Sequence, residues 1–179
     1  GDEGTRLEVP EVAVNMVFLT IFMDTLAGCI STPMMPYYAK SFGVPTAAIG
    51  WLYGAWSLSS TVFAPFLSGL ADSWGRRPVL ILSLVGAGVS NLVQGLAPNF
   101  SIFLLGRCLS GCWAAVGATC NVYVSDVAPE AIRGGYLAKM SMVPTVAVLF
   151  GPGLGGGLAK LGLNVPVMVD ACITIFTAG

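Results

Sequence analysis

The sequence predicts an all-α protein that crosses a membrane several times, and its composition carries most of that prediction. Of the 179 residues, 55% are hydrophobic and 9% are charged, whereas soluble domains carry about 25% charged residues. The mean hydropathy is +0.81. A chain with so few polar groups cannot cover a globular surface, which argues against a soluble enzyme, a nucleic-acid binder or a disordered tail. The formal net charge of −1 also provides no basic surface for phosphate.

The residue types argue against catalysis with a metal or cofactor. The chain has no histidine, which removes the usual general base and the most common ligand of zinc and haem. The sequence also shows no phosphate-binding loop and no cluster of metal ligands. We therefore expect no metal, no cofactor and no enzymatic activity.

Apolar segments of membrane-spanning length divide the chain. A membrane helix needs about 20 mostly apolar residues, and six such segments are separated by charges and turn residues, at 12–38, 46–67, 78–96, 100–124, 139–159 and 165–179. The sixth reaches about 22 Å, less than the roughly 30 Å of a hydrocarbon core. We therefore predict a tail at 1–11, a transmembrane domain at 12–179 with a truncated sixth helix, and a longer parent polypeptide.

The cations in the predicted connections set the orientation, because positive residues accumulate on the cytoplasmic side. With a cytoplasmic N-terminus, the outer side holds Lys40 and Lys160. The inner side then holds Arg6, Arg76, Arg77, Arg133 and Lys139. This distribution predicts that the N-terminal tail is cytoplasmic.

The first segment contains an acidic residue, Asp24, about halfway along its length and followed by Pro33 and Pro36. A carboxylate at this depth is a candidate proton or cation site. Burial disfavours its charged form and a neighbouring cation favours it, so such a group can exchange a proton near neutral pH. The alternative is an acid paired permanently with an internal arginine to assemble the helices.

The connection between the second and third segments contains Asp72, Gly75, Arg76 and Arg77, followed by Pro78. Gly75 permits a left-handed turn, and proline suits the first turn of the next helix. Asp126 is expected at the same membrane face, which predicts a charge cluster. The alternative is a positive loop that only sets topology.

The fourth segment places Arg107 within the membrane, at a cost of about 2.5–3.5 kcal/mol unless it faces protein or water. An acidic or carbonyl partner is therefore expected, although the side chain could also reach the interface from its position near the helix end. Four aromatic residues could line a cavity or anchor the helices at the interface: Tyr37, Tyr53, Trp56 and Trp113.

The fifth segment contains Gly151, Pro152, Gly155 and Gly156. Proline bends a helix and glycines four residues apart allow a second helix to approach closely. Because each glycine weakens the helix by about 1 kcal/mol relative to alanine, a lipid-facing kink without a role is a poor explanation.

Taken together, these stretches resemble the major facilitator superfamily of membrane transporters. The loop at 72–78 is similar to the signature between that superfamily's second and third helices, and Arg107 with Gly111 is similar to its fourth-helix motif. The glycine and proline pattern at 151–156 is similar to the fifth-helix motif of antiporters. Asp24 with its two prolines is similar to the first helix of the twelve-span drug:proton antiporters.

The resemblance implies two six-helix halves, each made of two inverted three-helix repeats, with a substrate site at mid-membrane between the halves. This chain corresponds to the first half. Its expected partners are the bilayer, the missing C-terminal half, protons and a small organic substrate. The implied function is secondary active transport, expected to be proton-coupled antiport by alternating access.

The resemblance also assigns roles to the candidate residues. Asp24 would bind the proton or a cation, with Arg107 and Asn121 as its polar neighbours. The loop at 72–78, with Asp126 and Arg133, would latch one conformation. The glycines at 151–156 would shape the fifth helix against the missing half.

Two other functions remain open from the sequence. The chain could be a structural subunit of a larger membrane assembly, or part of a uniporter or symporter of a metabolite. Asp24 and Arg107 argue against the first, because a scaffold has no use for such costly charges. The antiporter-like glycine pattern argues against the second.

Overall fold

The computed structural model describes residues 11–179, which form helices and short connections without a β-strand in that range. The proposed tail at 1–11, and Arg6 within it, lie outside the described residues, apart from Glu11. The helices in chain order are α1 Glu11–Ser31, α2 Met35–Ser41, α3 Thr46–Trp74, α4 Arg76–Gly95, α5 Phe100–Cys112, α6 Val116–Val127, α7 Glu130–Leu158 and α8 Val165–Thr177.

These eight helices form six rods, because two of the rods are each interrupted once. In order, rods 1 to 6 are α1 with α2, α3, α4, α5 with α6, α7, and α8. In the first rod, a short 3₁₀ turn at Thr32–Met34 joins α1 to α2. Pro33 and Pro36 explain this break, since each removes a backbone donor and crowds the preceding turn. The whole first rod, Val12–Ser41, remains 30 residues of apolar helix.

The fourth rod is interrupted between α5 and α6. The backbone N–H groups of Trp113 and Ala114 donate to carbonyls three residues earlier, at 3.3 and 3.2 Å, which tightens the turn. This places the Trp113 ring against Gly86 of α4, where an added Cβ would collide with the indole. Gly86 therefore makes room for a tryptophan at the centre of the bundle.

Two rods extend beyond the segments predicted from hydropathy. The second continues to Trp74 rather than 67, and the fifth begins at Glu130 rather than 139. The predicted loops at 68–77 and 125–138 are correspondingly short. Charged and polar residues are compatible with a helix that leaves the apolar layer, so the helices continue until the backbone forces an end. Those ends are Gly75, with a φ of 97°, and Pro129.

Four rods are long and apolar enough to cross a membrane on those criteria alone: Val12–Ser41, Arg76–Gly95, Phe100–Val127 and Glu130–Leu158. Of the other two, α3 has 29 residues but an inner stretch rich in serine and threonine, and α8 has 13 residues. Both belong to the bundle through their packing, α3 against α5 and α8 against α4 and α1.

The packing of the rods follows a twofold pattern. Rod 1 packs mainly on rod 5, and rod 4 on rod 2; rod 3 packs on rod 4, and rod 6 on rod 1. If rods 1, 2 and 3 exchange places with rods 4, 5 and 6, the contact of rods 1 and 5 becomes that of rods 4 and 2. The contact of rods 3 and 4 becomes that of rods 6 and 1, and the extensive contact of rods 3 and 6 is unchanged. This is the arrangement expected of two related three-helix units.

The interior combines apolar packing with an unusual number of polar side chains. The buried polar residues are Ser31, Ser83, Ser90, Asn91, Gln94, Arg107, Ser110, Thr119, Asp170 and Thr174. Large apolar side chains such as Leu149 and Phe176 are instead strongly exposed, as expected for surfaces that meet lipid or another protein. Polar groups inside an apolar bundle indicate a functional site rather than a packing core.

Candidate functional site: a charged cavity within the bundle

A cavity of about 390 Å³ lies between the rods, within the size range of small-molecule sites. It is lined from every rod except the fifth, judged on residues 11–179. Three charged side chains line it: Asp24 of α1, Arg107 of α5 and Asp170 of α8. Three aromatic residues, Tyr53, Trp56 and Trp113, supply much of its apolar wall.

Asp24 faces the bundle interior, as its proposed role requires. Its side chain is half-buried and opens into the cavity together with Gly28 one turn later. A second acid, Asp170 of α8, lines the same cavity. Asp24 is therefore an acid in the membrane interior that a solute entering the cavity can reach.

Arg107 is 9% exposed and projects from α5 into the same cavity. Within residues 11–179, its Nε and Nη2 atoms have no hydrogen-bond acceptor. Asp170 lines the same cavity from α8. Arg107 and Asp24 line the same cavity without an ion pair between them among the described residues, so the role of Arg107 in holding Asp24, or in handing over its proton, stays a prediction.

Asp170 is 5% exposed and accepts three side-chain hydrogen bonds. Ser31 of α1 donates to one carboxyl oxygen, and Asn91 of α4 donates to the other at 3.0 Å. Thr174, one turn along α8, donates to that second oxygen at 3.2 Å. The carboxyl therefore joins three rods through hydrogen bonds to both of its oxygens.

A second amide extends this network to the fourth rod. Gln94, fully buried on α4, donates to the Asn91 side-chain oxygen at 2.8 Å and to the Gly106 carbonyl of α5 at 3.3 Å. A Cβ at Gly106 would collide with the Gln94 side chain. The absence of a side chain at Gly106 thus leaves room for the Gln94 side chain between α4 and α5.

The aromatic candidates separate into two groups. Tyr53, Trp56 and Trp113 line the cavity, and the Tyr53 hydroxyl donates to the Thr32 carbonyl at 3.4 Å, next to the break in the first rod. Tyr37 is 60% exposed and is not a lining residue. The cavity candidates therefore reduce to three.

Asn121 does not join the charged residues. Its side chain is exposed, and Nδ2 donates to the Gly117 carbonyl of the same helix at 2.9 Å. Asn121 is not among the residues that line the cavity into which Asp24 opens, so the two do not share that space. Thr119 and Cys120, rather than Asn121, are therefore the buried residues on this part of α6.

The charge cluster predicted around the second connection is present as two ion pairs. Arg76 Nη1 lies 2.7 Å from Asp72 Oδ1, and Arg76 Nε lies 3.3 Å from Asp126 Oδ2. One arginine thereby joins the ends of α3 and α6 at the start of α4. Both carboxylates are more than half exposed, so the pairs lie at the surface of the bundle.

Three other residues proposed for the same latch have different surroundings. Gly75 separates α3 from α4 with a φ of 97° and a ψ of 161°, a conformation that essentially requires glycine. Arg77 is exposed and lines an apolar surface groove with Trp74. Arg133 Nε donates to the Ala128 carbonyl at 3.3 Å, which satisfies the end of α6 rather than an acid.

The glycine pattern of the fifth rod packs within this chain. Gly151 and Gly155 are buried, and a Cβ on either would collide with α1, at Cys29 and at the Ile30 carbonyl respectively. Pro152 is exposed, and a Cβ added at Gly156 would have no neighbour within 4 Å among the described residues. The expectation that the whole pattern faces the missing half is thus wrong for Gly151 and Gly155, because i, i+4 positions share the face that meets α1.

Asp170 and its partners are the part of the site that the sequence does not single out. Asp170 lies only about five residues into the sixth segment, which predicts a position near the outer surface. A usable signal is present in α4, where Asn91 and Gln94 are three residues apart and Gly88 and Gly95 are seven apart. A Cβ on either glycine would collide with α8, so this face of α4 is built to receive that helix.

These features define a polytopic membrane protein with a charged, solute-sized cavity inside its helical bundle. The chain belongs to the Major Facilitator Superfamily, whose family model matches residues 17–179. It is similar to the tetracycline resistance protein, class G, of Vibrio anguillarum, with 31% identity over 165 residues. It is also similar to multidrug resistance protein 2 of Bacillus subtilis, with 29% identity over 159 residues.

The matches cover most of this chain and less than half of each relative. They span 90% of this chain and 42% of the class G protein, and 88% and 40% for the Bacillus subtilis protein. The crystal structure of the human organic anion transporter MFSD10 (TETRAN) superimposes with a TM-score of 0.76 at 23% identity, covering 92% of this chain and 46% of that one. This last similarity establishes the fold.

Proposed function

We propose that this chain forms the N-terminal half of a secondary active transporter, a proton-coupled antiporter that exports a small organic molecule by alternating access. The observation that carries the proposal is the cavity, in which Asp24 and Arg107 face a common space inside an apolar bundle. Charges so far from water are costly unless they serve a purpose. The relatives, named for resistance to tetracycline and to multiple drugs, support a solute that is exported.

Asp24 is the proton-carrying group in this proposal. An antiporter must bind either a proton or its substrate, and a carboxyl that opens into the cavity can exchange the two. No covalent chemistry is involved, so no enzymatic step is needed. The three aromatic residues of the wall provide a face on which an organic solute can stack.

The ion pairs of Arg76 form the latch of this mechanism. Asp72 and Asp126 are on different rods, and Arg76 pairs with both of them, so these pairs would hold the rod ends together in one of the two conformations. Exposed ion pairs contribute about 0–1 kcal/mol, which is enough to bias two conformations of similar energy and too little to hold the fold. We place this end in the cytoplasm, with the N-terminus on the same side, from the distribution of loop cations.

The second half of the transporter would cover the exposed apolar surfaces. The relatives are more than twice as long as the part that this chain matches, and a substrate path between two halves needs both. Lipid would cover the remaining apolar surface. Pro152 and Gly156 lie on the outer side of α7, where they remain available for such contacts.

The test is transport by the complete polypeptide in proteoliposomes with an imposed pH gradient, using tetracycline and a quinolone as probes. Wild-type protein is expected to accumulate a probe when the gradient is applied. Asp24→Asn should reduce this proton-driven accumulation to background while the protein still inserts and folds. Glu130→Gln, which removes an acid at the start of α7 outside the cavity, is the matched control and should retain transport.

Two results would contradict the proposal. Full pH-driven transport by Asp24→Asn would exclude Asp24 as the coupling residue. A complete polypeptide that moves neither probe, with no protons entering in exchange, would favour the structural-subunit alternative.

A further inference from the structure

We propose that the exported molecule is an aromatic zwitterion, whose acidic group binds to Arg107 and whose amino group binds to Asp24. The inference rests on the proposed export of a small organic molecule and specifies the chemical class of that molecule. The observation behind it is that two side chains of opposite charge line one cavity without forming an ion pair with each other.

The guanidinium of Arg107 is buried and lacks partners. The side chain is 9% exposed and lines the cavity from α5. Within residues 11–179, its Nε and Nη2 atoms have no hydrogen-bond acceptor. These two nitrogens form one edge of the guanidinium plane, an edge that can bind both oxygens of a carboxylate. Because buried donors without acceptors are costly, an acidic group in the cavity gains free energy when this flexible side chain turns toward it.

Asp24 is an acid in the same cavity that no cation of the described residues pairs with. The side chain is half-buried on α1. One turn later, a Cβ added at Gly28 would have no neighbour within 4 Å. There is therefore room beside Asp24 for an amino group, which a carboxylate binds through charge-assisted hydrogen bonds.

Asp170, the third charged residue of the cavity, is already held by the protein. Hydrogen bonds from Ser31, Asn91 and Thr174 occupy both of its carboxyl oxygens. In the part of the chain that the structure describes, no ion pair joins Asp170 to Arg107. The charged groups left to bind a solute are therefore one cation and one acid. A solute with a single charge would leave one of them without a partner, whereas a zwitterion binds both.

The wall of the cavity favours an aromatic body for this solute. Tyr53, Trp56 and Trp113 line it, and their flat faces can stack on an aromatic ring. The Trp113 ring occupies the space that Gly86 leaves free, since a Cβ at Gly86 would collide with it. The volume of about 390 Å³ is near the lower end of the range for small-molecule sites. A compact aromatic molecule with both charges therefore fits best.

The experiment measures the binding of three matched probes to the complete, purified polypeptide in detergent, without a pH gradient. Naphthylalanine carries both charged groups, naphthylpropionic acid only the carboxylate, and naphthylethylamine only the ammonium group. Equilibrium dialysis at neutral pH gives the Kd of each probe. Wild-type protein should bind naphthylalanine about tenfold more tightly than either analogue, because each analogue lacks one charge-assisted contact.

The variants should show a crossed pattern. Arg107→Gln should weaken the binding of naphthylalanine and naphthylpropionic acid about tenfold and leave that of naphthylethylamine unchanged or tighter. Asp24→Asn should weaken the binding of naphthylalanine and naphthylethylamine and leave that of naphthylpropionic acid unchanged or tighter. Lys160→Gln removes an exposed cation outside the cavity; it is the matched control and should change none of the three.

Arg107→Lys decides the matter if Arg107→Gln does not fold. It retains the positive charge without the two-donor edge, so the two probes with a carboxylate should bind more weakly than to wild type, and naphthylethylamine should bind equally well. In folded protein, an equal effect of either Arg107 variant on all three probes, or no effect on any, would overturn the inference. So would a wild-type protein that does not prefer naphthylalanine.

These binding measurements contain no transport step, so the two proposals can fail separately. A polypeptide that exports a probe in an Asp24-dependent manner but lacks the crossed pattern contradicts only the zwitterion inference. A polypeptide that shows the crossed pattern but exchanges no protons supports the binding site and contradicts proton-coupled export.

Discussion

Arg76 Nη1 lies 2.7 Å from Asp72 Oδ1 across the junction of two helices. The two residues are four apart in sequence, yet they belong to α3 and α4, which Gly75 separates. The chain reverses at Gly75 while the side chains remain in contact, and Arg76 also reaches Asp126 of α6. A local sequence motif therefore makes a tertiary connection, which makes it suitable as a latch between conformations.

We predict that Asp126→Asn changes conformational preference more than stability. The pair is partly exposed, so the free energy of unfolding should fall by less than about 1 kcal/mol. The labelling rate of a cysteine introduced at Trp56 in the cavity should change, because the end of the bundle opens more readily. Glu130→Gln is the control, and equal labelling rates in both variants and wild type would argue against a latch.

We predict that Gly155→Ala destabilises the bundle whereas Gly153→Ala does not. A Cβ at Gly155 would collide with the Ile30 backbone carbonyl, which cannot move aside without displacing α1. Overpacking of this kind costs about 1–3 kcal/mol. Gly153 has nothing within 4 Å of an added Cβ and is on the same helix, so alanine there should be neutral or mildly stabilising.

Thermal unfolding in detergent, compared for the two alanine variants, measures this difference. A Gly155→Ala protein as stable as Gly153→Ala would mean that α7 does not pack closely on α1.

We predict that Asn91→Ala lowers stability by about 1–2 kcal/mol. The change removes a donor to Asp170 and an acceptor for Gln94, both of them buried, and leaving such groups without partners is costly. Asn121→Ala is the matched control, because that side chain is exposed and bonds to its own helix; its effect should stay within about 0.5 kcal/mol. Chemical denaturation of both variants measures their free energies of unfolding. Equal values would show that the hydrogen bonds of Asn91 do not stabilise the fold.

We predict a topology in which Gly134 faces the cytoplasm and Lys40 and Lys160 face the opposite side. Single cysteines at these three positions, in a background in which the five native cysteines are replaced by serine, can be labelled with a membrane-impermeant reagent. In intact cells the two lysine positions should react and position 134 should not. Reaction of position 134 from outside would reverse the orientation inferred from the loop cations.

Much of the architecture follows from local properties of the chain. Low charge and long apolar runs specify membrane helices because unpaired backbone groups are not tolerated in lipid. Asp24, Arg107 and the acid and arginine around Gly75 stand out because charges are rare in this sequence. The end of α3 and the break after α1 also follow from local chemistry, since Gly75 and the two prolines restrict the backbone directly.

The partners of those charges depend on the tertiary structure. Asp170 meets Ser31 across 139 residues and Asn91 across 79, and no periodicity within one helix indicates which distant helix will be adjacent. The exposure of Asn121 depends on which face of α6 packs into the bundle, and the face of Gly151 and Gly155 depends on where α1 lies. Hydropathy is a property of single segments, whereas the choice of a counter-ion is a property of helix packing. The sequence therefore identifies the charged residues that are costly to place in a membrane. The packing of α1, α4 and α8 determines which of them line the same cavity.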